Sequence, residues 1–334
     1  MTMTARYLIA FLVAFVFGTI ISPLIVCLCK KLKANQTILF YVKEHEAKNG
    51  TPTMGGIIFI SVILCVGLCL SFTDYLLSIL TIATTLFYGI LGFLDDFLKV
   101  HYKQNLGLRA YQKIIGQVGI AVILAVFVYK ANLVGSQVFI PFTKQTIDLG
   151  IWIIPFVIFV YLAVVNSVNL LDGLDGLCSG VSFVYILSFA TILLIYETEF
   201  SARGLTELQN IEQLCFIMSG GLLAYFALNC FPASIFMGDT GSLALGGFIT
   251  TIAVLTKLEL YIPILGIVYV VTALSDIIQV LHYKRTHKRI FLMAPLHHHF
   301  QKKGVNESKI VAIYIITTLV ICLLTISLLL YIGG

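Results

Sequence analysis

The chain has 334 residues, of which 59% are hydrophobic and 11% are charged. Soluble domains carry roughly 25% charged residues, so this composition excludes a soluble globular protein, a disordered chain and a secreted disulfide-rich scaffold. The net charge of +5 comes from Lys and Arg residues that lie mostly on one predicted side of the membrane. It therefore does not indicate a nucleic-acid partner. The eight cysteines lie mostly in apolar runs without a CxxC pair, which is typical of buried hydrophobic side chains.

Apolar runs that suit membrane crossing follow one another along the whole chain. One crossing needs about 20 apolar residues, and the segments between the runs are too short for an ordinary extra-membrane domain. We therefore predict an all-α integral membrane protein with ten transmembrane helices, built as a single polytopic domain over residues 1–334. The runs are Tyr7–Cys29, Met54–Phe72, Leu76–Leu98, Ile114–Tyr129, Ile151–Val168, Leu177–Tyr196, Leu214–Cys230, Leu243–Leu255, Tyr261–Leu281 and Lys309–Ile332.

Lysine and arginine residues predict the orientation of these spans. With both termini on the extracytoplasmic side, 16 of the 21 Lys and Arg residues fall on the cytoplasmic side, as the positive-inside rule requires. On the outside, residues 137–150 alternate apolar and polar side chains and predict a small hairpin, and Glu197–Glu212 is predicted to be a polar connecting loop. The predicted cytoplasmic segments are 30–53, 99–113, 169–176, 231–242 and 282–309.

Five aspartates lie at the cytoplasmic ends of spans with no exposed loop to explain them. Ionisable groups at membrane depth are costly and usually functional, and all five are predicted on one side, so we expect a shared site. Asp95 and Asp96 repel each other unless a cation intervenes, and Lys99 lies one helical turn away, where it can pair with either. An interfacial cap made by Lys99 and Asp95 alone is the alternative. The five aspartates are Asp95, Asp96, Asp172, Asp175 and Asp239.

A second polar group repeats at every third residue, from Asn166 through Asn169 and Asp172 to Asp175. On a helix these side chains trace one slowly turning stripe, and Gly173 lets a ligand approach the backbone closely. The alternative is a polar seam that hydrogen-bonds a neighbouring span, which stays open for Asn166.

A loop at residues 231–242, preceded by Asn229, leads into a new span. Glycines bracket Asp239 where that span begins, and the free N–H groups of a helix N-terminus favour phosphate. Asp239 could instead only cap the helix. The side chain of Phe236 could stack on a planar base or anchor the loop in lipid.

The remaining cytoplasmic segments carry histidines and a shaped turn. Residues 282–309 mix basic and apolar side chains, which suits an anionic leaflet. Three consecutive histidines, His297, His298 and His299, cannot all face one metal from a helix or a strand, but they can donate to phosphate oxygens; solvated interfacial histidines are the alternative. Residues 43–56 form a turn containing Lys48 and Thr53, for which a plain connector is the alternative.

This set of side chains suits Mg²⁺ and phosphate better than zinc, because phosphoryl transfer depends on charge neutralisation and alignment. A site at the membrane boundary indicates that one reactant is a lipid. The residues therefore predict metal-assisted transfer of a phosphorylated group from a soluble donor to a lipid acceptor. An ion-coupled transporter is the competing class, since intramembrane aspartates also mark ion pathways, although none lies clearly at mid-span.

The motifs together resemble a known family. The phospho-N-acetylmuramoyl-pentapeptide-transferases, within the polyprenyl-phosphate N-acetylhexosamine-1-phosphate transferase superfamily, are similar in all five cytoplasmic segments and in the ten-span arrangement. The carboxylate motifs are shared across the superfamily, and the histidine segment resembles the pentapeptide branch. A related N-acetylglucosamine-1-phosphate transferase is the alternative. The motifs are Gly50–Gly56, Asp95-Asp96-x-x-Lys99, Asn169–Leu177, Asn229 with Phe236–Ser242, and Ala294–Phe300.

The resemblance implies a reaction between UDP-N-acetylmuramoyl-pentapeptide and undecaprenyl phosphate, giving lipid I and UMP. It implies Mg²⁺ as cofactor and a homodimer in the bacterial cytoplasmic membrane, engaged in peptidoglycan synthesis. Direct attack by the lipid phosphate is preferred to a phosphorylated aspartate intermediate, because a carboxylate near Mg²⁺ can act as a base without a second transition state.

The resemblance also implies roles for particular residues. Asp239 would bind Mg²⁺, Asp95 and Asp96 would form the catalytic pair with Asp95 as the base, and Lys99 would hold a phosphate. Gly173 and His299 are further candidates for substrate contact. The implied nucleoside pocket consists of Lys48, Leu174, Asp175, Asn229 and Phe236. The implied diphosphate and sugar region consists of Thr53, Asn169, Asp172, His297 and His298.

Overall fold

The computed structural model describes residues 3–32, 50–70, 75–102, 107–131, 133–143, 145–197 and 202–333. These residues form a helical bundle with one small two-stranded sheet. The helices are α1 (Met3–Lys31), α2 (Ile57–Leu70), α3 (Leu76–His101), α4 (Ala110–Lys130), α5 (Ile153–Leu171), α6 (Leu177–Tyr196), α7 (Ala202–Asn229), α8 (Gly238–Leu255), α9 (Ile262–Leu265), α10 (Ile267–Thr286), α11 (Leu296–Lys302) and α12 (Glu307–Gly333).

The helices have the length and composition of an integral membrane protein. Within the described ranges, eight are long and apolar enough to cross a membrane, or up to nine if the pair around α9 and α10, bent by 80°, makes one span. The shorter α2 is an apolar helix of 14 residues. The prediction of a helical membrane protein is confirmed in this form, and the count of ten spans and the orientation stay predictions.

The peripheral helices expose apolar side chains, whereas the central helix is buried. Along α1 and α12, apolar side chains such as Leu12, Ile20 and Leu324 are exposed, which suits a hydrocarbon environment and not water. In contrast, every residue of α8 from Thr240 to Leu255 is buried, so α8 is the central helix of the bundle.

Small residues bring α3 against α8. A Cβ atom added to Gly92 of α3 would lie only 2.0 Å from the backbone oxygen of Asp239 at the start of α8. Close backbone approach at small residues is the usual way in which membrane helices gain packing energy. This contact brings the last turns of α3 beside the first turn of α8, which is where the candidate site lies.

The polar segment Glu197–Glu212, predicted to be a loop, is helical from Ala202 onward as the first part of α7. Its polar side chains are buried because they have partners on neighbouring helices. The Tyr7 hydroxyl donates to Glu212 at 2.5 Å. The backbone N–H of Leu77, one of the unpaired donors at the start of α3, donates to Glu207 at 3.0 Å. The loop prediction was therefore wrong for this part.

The small hairpin predicted within residues 137–150 is confirmed. Strands β1 (Gln137–Phe139) and β2 (Thr146–Asp148) pair in antiparallel register, with Val138 opposite Ile147. It packs on the connection after α8, where the backbone N–H of Phe139 donates to the carbonyl of Lys257 at 2.9 Å.

The polar stripe that begins at Asn166 divides where α5 ends at Leu171. Asn166 forms two hydrogen bonds with Gln117 of α4, at 2.8 and 3.3 Å, so the polar-seam alternative describes this residue. Asn169 is still helical, whereas Asp172 and Asp175 lie in the loop between α5 and α6. The stripe is therefore not one helical face, because the chain turns before α6.

Candidate functional site

Three of the predicted aspartates converge where α3 ends and α8 begins. Carboxylate oxygens of Asp95, Asp96 and Asp239 all lie within 4.8 Å of one another. Asp95 and Asp96 are almost fully buried. Three negative charges at this separation repel strongly in a medium of low polarity, so the cluster requires positive charge from the protein or from a bound ion.

Two lysines supply part of that charge. Nζ of Lys99 lies 2.5 Å from Asp95 Oδ2 and 2.7 Å from Asp239 Oδ2. Because Lys99 bridges two helices, the alternative of a cap with Asp95 alone does not describe it. Nζ of Lys113, in the first turn of α4, lies 3.1 Å from the same oxygen of Asp239. Sequence reasoning misses Lys113, whose only signal is its position at the inside end of a predicted span.

Asp96 caps the central helix. Its carboxylate accepts the backbone N–H groups of Asp239 at 3.2 Å and Thr240 at 2.8 Å, and the Thr240 hydroxyl at 2.7 Å. The free donors expected to favour phosphate at the start of α8 are thus directed to Asp96. The carboxylate of Asp239 faces side chains instead, which argues against a role for Asp239 as the helix cap alone.

Asn169 and Thr53 complete the surroundings of this cluster. Nδ2 of Asn169 donates to Asp239 Oδ1 at 2.6 Å and to the Ser242 hydroxyl at 2.8 Å. Thr53 is buried, and a Cβ added to Gly238 would lie 2.7 Å from its hydroxyl and 2.5 Å from Asp96 Oδ2. Residues from four separate chain segments therefore meet here, as the sequence prediction requires.

The loop after α5 extends the site toward α6. Burial, together with the negative charges of Asp239 and Asp96, raises the pKa of Asp172 well above its usual range. Asp172 comes three residues after Asn169, whose side chain donates to Asp239. Nearby, Leu174 is buried.

Asp175 and Asn229 join this loop to the segment before α8. Asp175 Oδ2 accepts the backbone N–H of Ala233 at 3.0 Å. Asn229 Oδ1 accepts from the backbone N–H of Gly176 at 3.1 Å, and Asn229 Nδ2 donates to the Ile235 carbonyl at 3.1 Å. The loops of the implied nucleoside pocket are therefore bonded to one another.

Phe236 lies on the turn that leads to Asp239. Its backbone N–H donates to the Pro52 carbonyl at 2.8 Å, and its carbonyl accepts from the Gly55 N–H at 2.8 Å. The side chain is partly exposed. Lys48, also assigned to this pocket, lies outside the described residues.

The three histidines of α11 do not all share one direction: His297 and His298 face the loop after α5, whereas His299 faces the segment before α11. His297 is fully buried and its two ring nitrogens have no hydrogen-bond partner within the described parts of the chain; burial and the neighbouring His298 lower its pKa. His298 Nδ1 lies 2.8 Å from Gln301 Oε1. His299 Nδ1 accepts the backbone N–H of Leu292 at 3.1 Å.

Gly173 brings the histidines and the loop together. A Cβ added there would lie 2.3 Å from His297 Nε2 and 3.0 Å from His298 Nε2. His297 and His298 therefore lie directly against the loop that carries Asp172, whereas His299 holds the segment before α11.

Comparison with known proteins identifies the class first. Residues 78–257, more than half of the chain, match the model of glycosyl transferase family 4. Together with the apolar helices, this match defines a membrane-embedded transferase of that family. Residues 48–60 match phospho-N-acetylmuramoyl-pentapeptide-transferase signature 1.

Full-length relatives narrow the assignment. A protein named phospho-N-acetylmuramoyl-pentapeptide-transferase from Thermoanaerobacter sp. (strain X514) is 46% identical to this chain, over 95% of this chain and 97% of the relative. A protein of the same name from Clostridioides difficile (strain 630) is 43% identical, over 97% of both chains. The relative from Caldanaerobacter subterraneus subsp. tengcongensis is 44% identical over 94% of both. The chain belongs to the phospho-N-acetylmuramoyl-pentapeptide-transferase family. The resemblance seen in the sequence is confirmed, and the transporter alternative gains no support from it.

Proposed function

We propose that this protein transfers phospho-N-acetylmuramoyl-pentapeptide from UDP-N-acetylmuramoyl-pentapeptide to undecaprenyl phosphate, giving lipid I and UMP in peptidoglycan synthesis. The observation that carries the proposal is the cluster of Asp95, Asp96 and Asp239 with two lysines, at the end of an apolar helical bundle in a chain of this family. In this proposal the soluble nucleotide reaches the cluster from the aqueous side and the lipid phosphate reaches it from the membrane.

The cluster fits a hard divalent cation. Its donors are carboxylate oxygens, which Mg²⁺ prefers, and the ammonium of Lys99, 2.7 Å from Asp239, supports a site that stabilises positive charge. Three carboxylates against two ammonium groups leave an excess of negative charge. We propose that Asp239 holds Mg²⁺ with a neighbouring carboxylate, and that the ion, when bound, neutralises negative charge on the pyrophosphate oxygens.

The side chains of this chain then act on the two substrates. Asp95 takes the proton from the lipid phosphate, and a phosphate oxygen attacks the sugar-bearing phosphorus. A new P–O bond forms there as the bond between that phosphorus and the bridging oxygen breaks, and UMP leaves with the bridging oxygen and the bonding electron pair. Lys99 and Lys113 reduce the repulsion between the two anionic substrates. In this proposal Asp96 holds the start of α8 in place and the attack is direct.

The donor nucleotide is proposed to bind on the bonded loops beside the cluster. Phe236 stacks on the uracil ring, and Asp175, Asn229, Leu174 and Lys48 form the rest of the nucleoside pocket. Along the diphosphate and sugar lie Thr53, Asn169, Asp172, Gly173, His297, His298 and His299. Stacking on an aromatic ring contributes about 1–3 kcal/mol, which makes Phe236 the most informative single position in this pocket.

The proposed setting is the bacterial cytoplasmic membrane. We propose ten spans with both termini outside and the site on the cytoplasmic side, supported by the Lys and Arg distribution, which follows the positive-inside rule. A homodimer is proposed from the family resemblance, and a single polytopic domain from the absence of long connections in the sequence.

The test is an assay of UMP release from the purified protein with undecaprenyl phosphate and Mg²⁺. We expect release with UDP-N-acetylmuramoyl-pentapeptide and not with UDP-N-acetylglucosamine. Asp239→Asn should lower the rate at least about 100-fold without unfolding the protein in detergent, whereas Asp148→Asn on the exposed hairpin should not. Phe236→Ala should weaken UMP binding.

Several results would contradict the proposal. A fully active Asp239→Asn protein would remove the metal assignment, and release from UDP-N-acetylglucosamine alone would move the chain to the related sugar-1-phosphate transferases. A phospho-sugar trapped covalently on Asp95 or Asp96 would replace direct attack by a two-step route.

A further inference from the structure

Glu307, the first residue of α12, reaches across to the loop between α5 and α6. Its Oε1 accepts the backbone N–H of Asp175 at 2.8 Å. Glu307 is partly buried, and the neighbouring Ser308 is exposed. The two ends of this bond are 132 residues apart in the chain, so it joins segments that no local structure would bring together.

The loop needs such a bond because it lies outside the helical ladders. It is the segment 172–176, after α5 ends at Leu171 and before α6 starts at Leu177. The Gly173 N–H donates back to Leu171, the last residue of α5, at 2.9 Å. The N–H groups of Asp175 and Gly176 donate to side chains from other helices, Asp175 to Glu307 and Gly176 to Asn229. Asn229 is a residue of the implied nucleoside pocket. Glu307 makes the same kind of contact with the loop, but from α12.

The bond from Glu307 continues into the segment that carries Phe236. Asp175 donates its backbone N–H to Glu307, and the carboxylate of the same residue accepts the N–H of Ala233 at 3.0 Å. When the backbone of Asp175 is held in place, its side chain, which binds the turn at residues 231–236, is held in place as well. These two hydrogen bonds, one to the backbone of Asp175 and one from its side chain, order the two loops together.

We propose that Glu307 is a positioning residue for the nucleotide. It holds the Asp175 backbone so that Asp175 and Phe236 are set in place before the nucleotide arrives, and binding then requires less loop ordering. This inference rests on the proposed nucleoside pocket. The competing explanation is that Glu307 only stabilises α12, since a negative charge at a helix N-terminus interacts favourably with the helix dipole.

Two conservative variants separate these explanations in the full-length protein. Glu307→Gln keeps an acceptor at the same reach and removes the charge. Glu307→Asp keeps the charge at the start of α12 but is one methylene too short to reach Asp175. Positioning predicts that Glu307→Gln binds UMP almost as the unchanged protein does, whereas Glu307→Asp and Glu307→Ala bind about tenfold more weakly.

The kinetic expectation is a rise in KM for the UDP-sugar by a similar factor, with kcat changed by less than about twofold, because the reacting atoms lie at the aspartate cluster. Ser308→Ala, on the same turn and exposed, is the matched control and should leave both constants unchanged. Thermal unfolding in detergent should be nearly the same for the Gln and Asp variants.

The reverse pattern overturns the inference: wild-type UMP affinity in Glu307→Asp with a loss in Glu307→Gln would mean that only the charge matters. Wild-type affinity in all three variants would overturn it as well. Phe236→Ala, measured alongside, separates the two proposals. If it weakens UMP binding while Glu307→Asp does not, the Glu307 inference alone fails; if it leaves UMP affinity unchanged, the nucleoside pocket fails and the inference with it.

Discussion

The close packing of α3 on α8 makes a testable link between helix packing and chemistry. A Cβ added to Gly92 would lie 2.0 Å from the Asp239 backbone oxygen and 2.4 Å from its carbonyl carbon, whereas ordinary contact begins at 3.4 Å. Both atoms are backbone, so no side-chain rotation relieves the overlap. In Gly92→Ala the two helices must therefore separate by about 1.4 Å, the difference between the contact at 3.4 Å and the overlap at 2.0 Å.

This separation moves Asp239 away from Asp95 and Lys99, which are on α3. A misplacement of about 1 Å in a catalytic group costs about 100-fold in rate, and overpacking a buried contact costs about 1–3 kcal/mol of stability. We expect Gly92→Ala to lose about 100-fold in UMP release and to unfold at a lower temperature than the unchanged protein.

Gly119→Ala on α4 is the matched control. Gly119 is exposed and nothing lies within 4 Å of a Cβ added there, so the same substitution in a helix should leave activity unchanged and slightly favour the fold. The assays are UMP release and thermal unfolding in one detergent. Full activity and unchanged stability in Gly92→Ala would refute the argument that this contact sets the position of Asp239.

Two further predictions follow from the same region. Thr240→Val removes the hydroxyl that donates to Asp96 at 2.7 Å and should lower the unfolding free energy by about 1–3 kcal/mol. The control is Thr250→Val, because the hydroxyl of Thr250 donates only to a carbonyl of its own helix. Equal losses of unfolding free energy in both variants would contradict this prediction. Because burial lowers the pKa of His297, the unfolded chain takes up a proton near pH 6.5 that the folded protein does not. Stability should therefore fall as the pH drops below about 6.5, with a slope of up to about 1.4 kcal/mol per pH unit, and His297→Asn should flatten this dependence in unfolding measurements; an unchanged slope would show that other groups cause it.

Much of the architecture follows from patterns along the amino-acid sequence. Apolar runs locate the helices because a membrane span needs continuous hydrophobic length, and most of the predicted runs coincide with helices to within a few residues. The pairing of Asp95 with Lys99 was predictable from helix geometry, since residues four apart on a helix are neighbours. The motifs also identified the family, which the comparisons confirm.

Sequence patterns do not predict correctly where polar side chains are buried between helices. The start of α7 looks like a loop because Glu207 and Glu212 are polar, and only their partners on α3 and α1 explain why they are helical and buried. The partners of Lys113 and Glu307 could not be read from the sequence either, because they lie 126 and 132 residues away.

The sequence by itself determined that this is a helical membrane protein and which residue types could perform phosphate chemistry, because hydrophobic length and charge placement are properties of the chain. Tertiary structure decided which of those groups meet. Gly92 lets α3 approach α8 closely enough to join Asp95, Asp96 and Asp239, and such an approach depends on the shapes of two helices that no single segment contains.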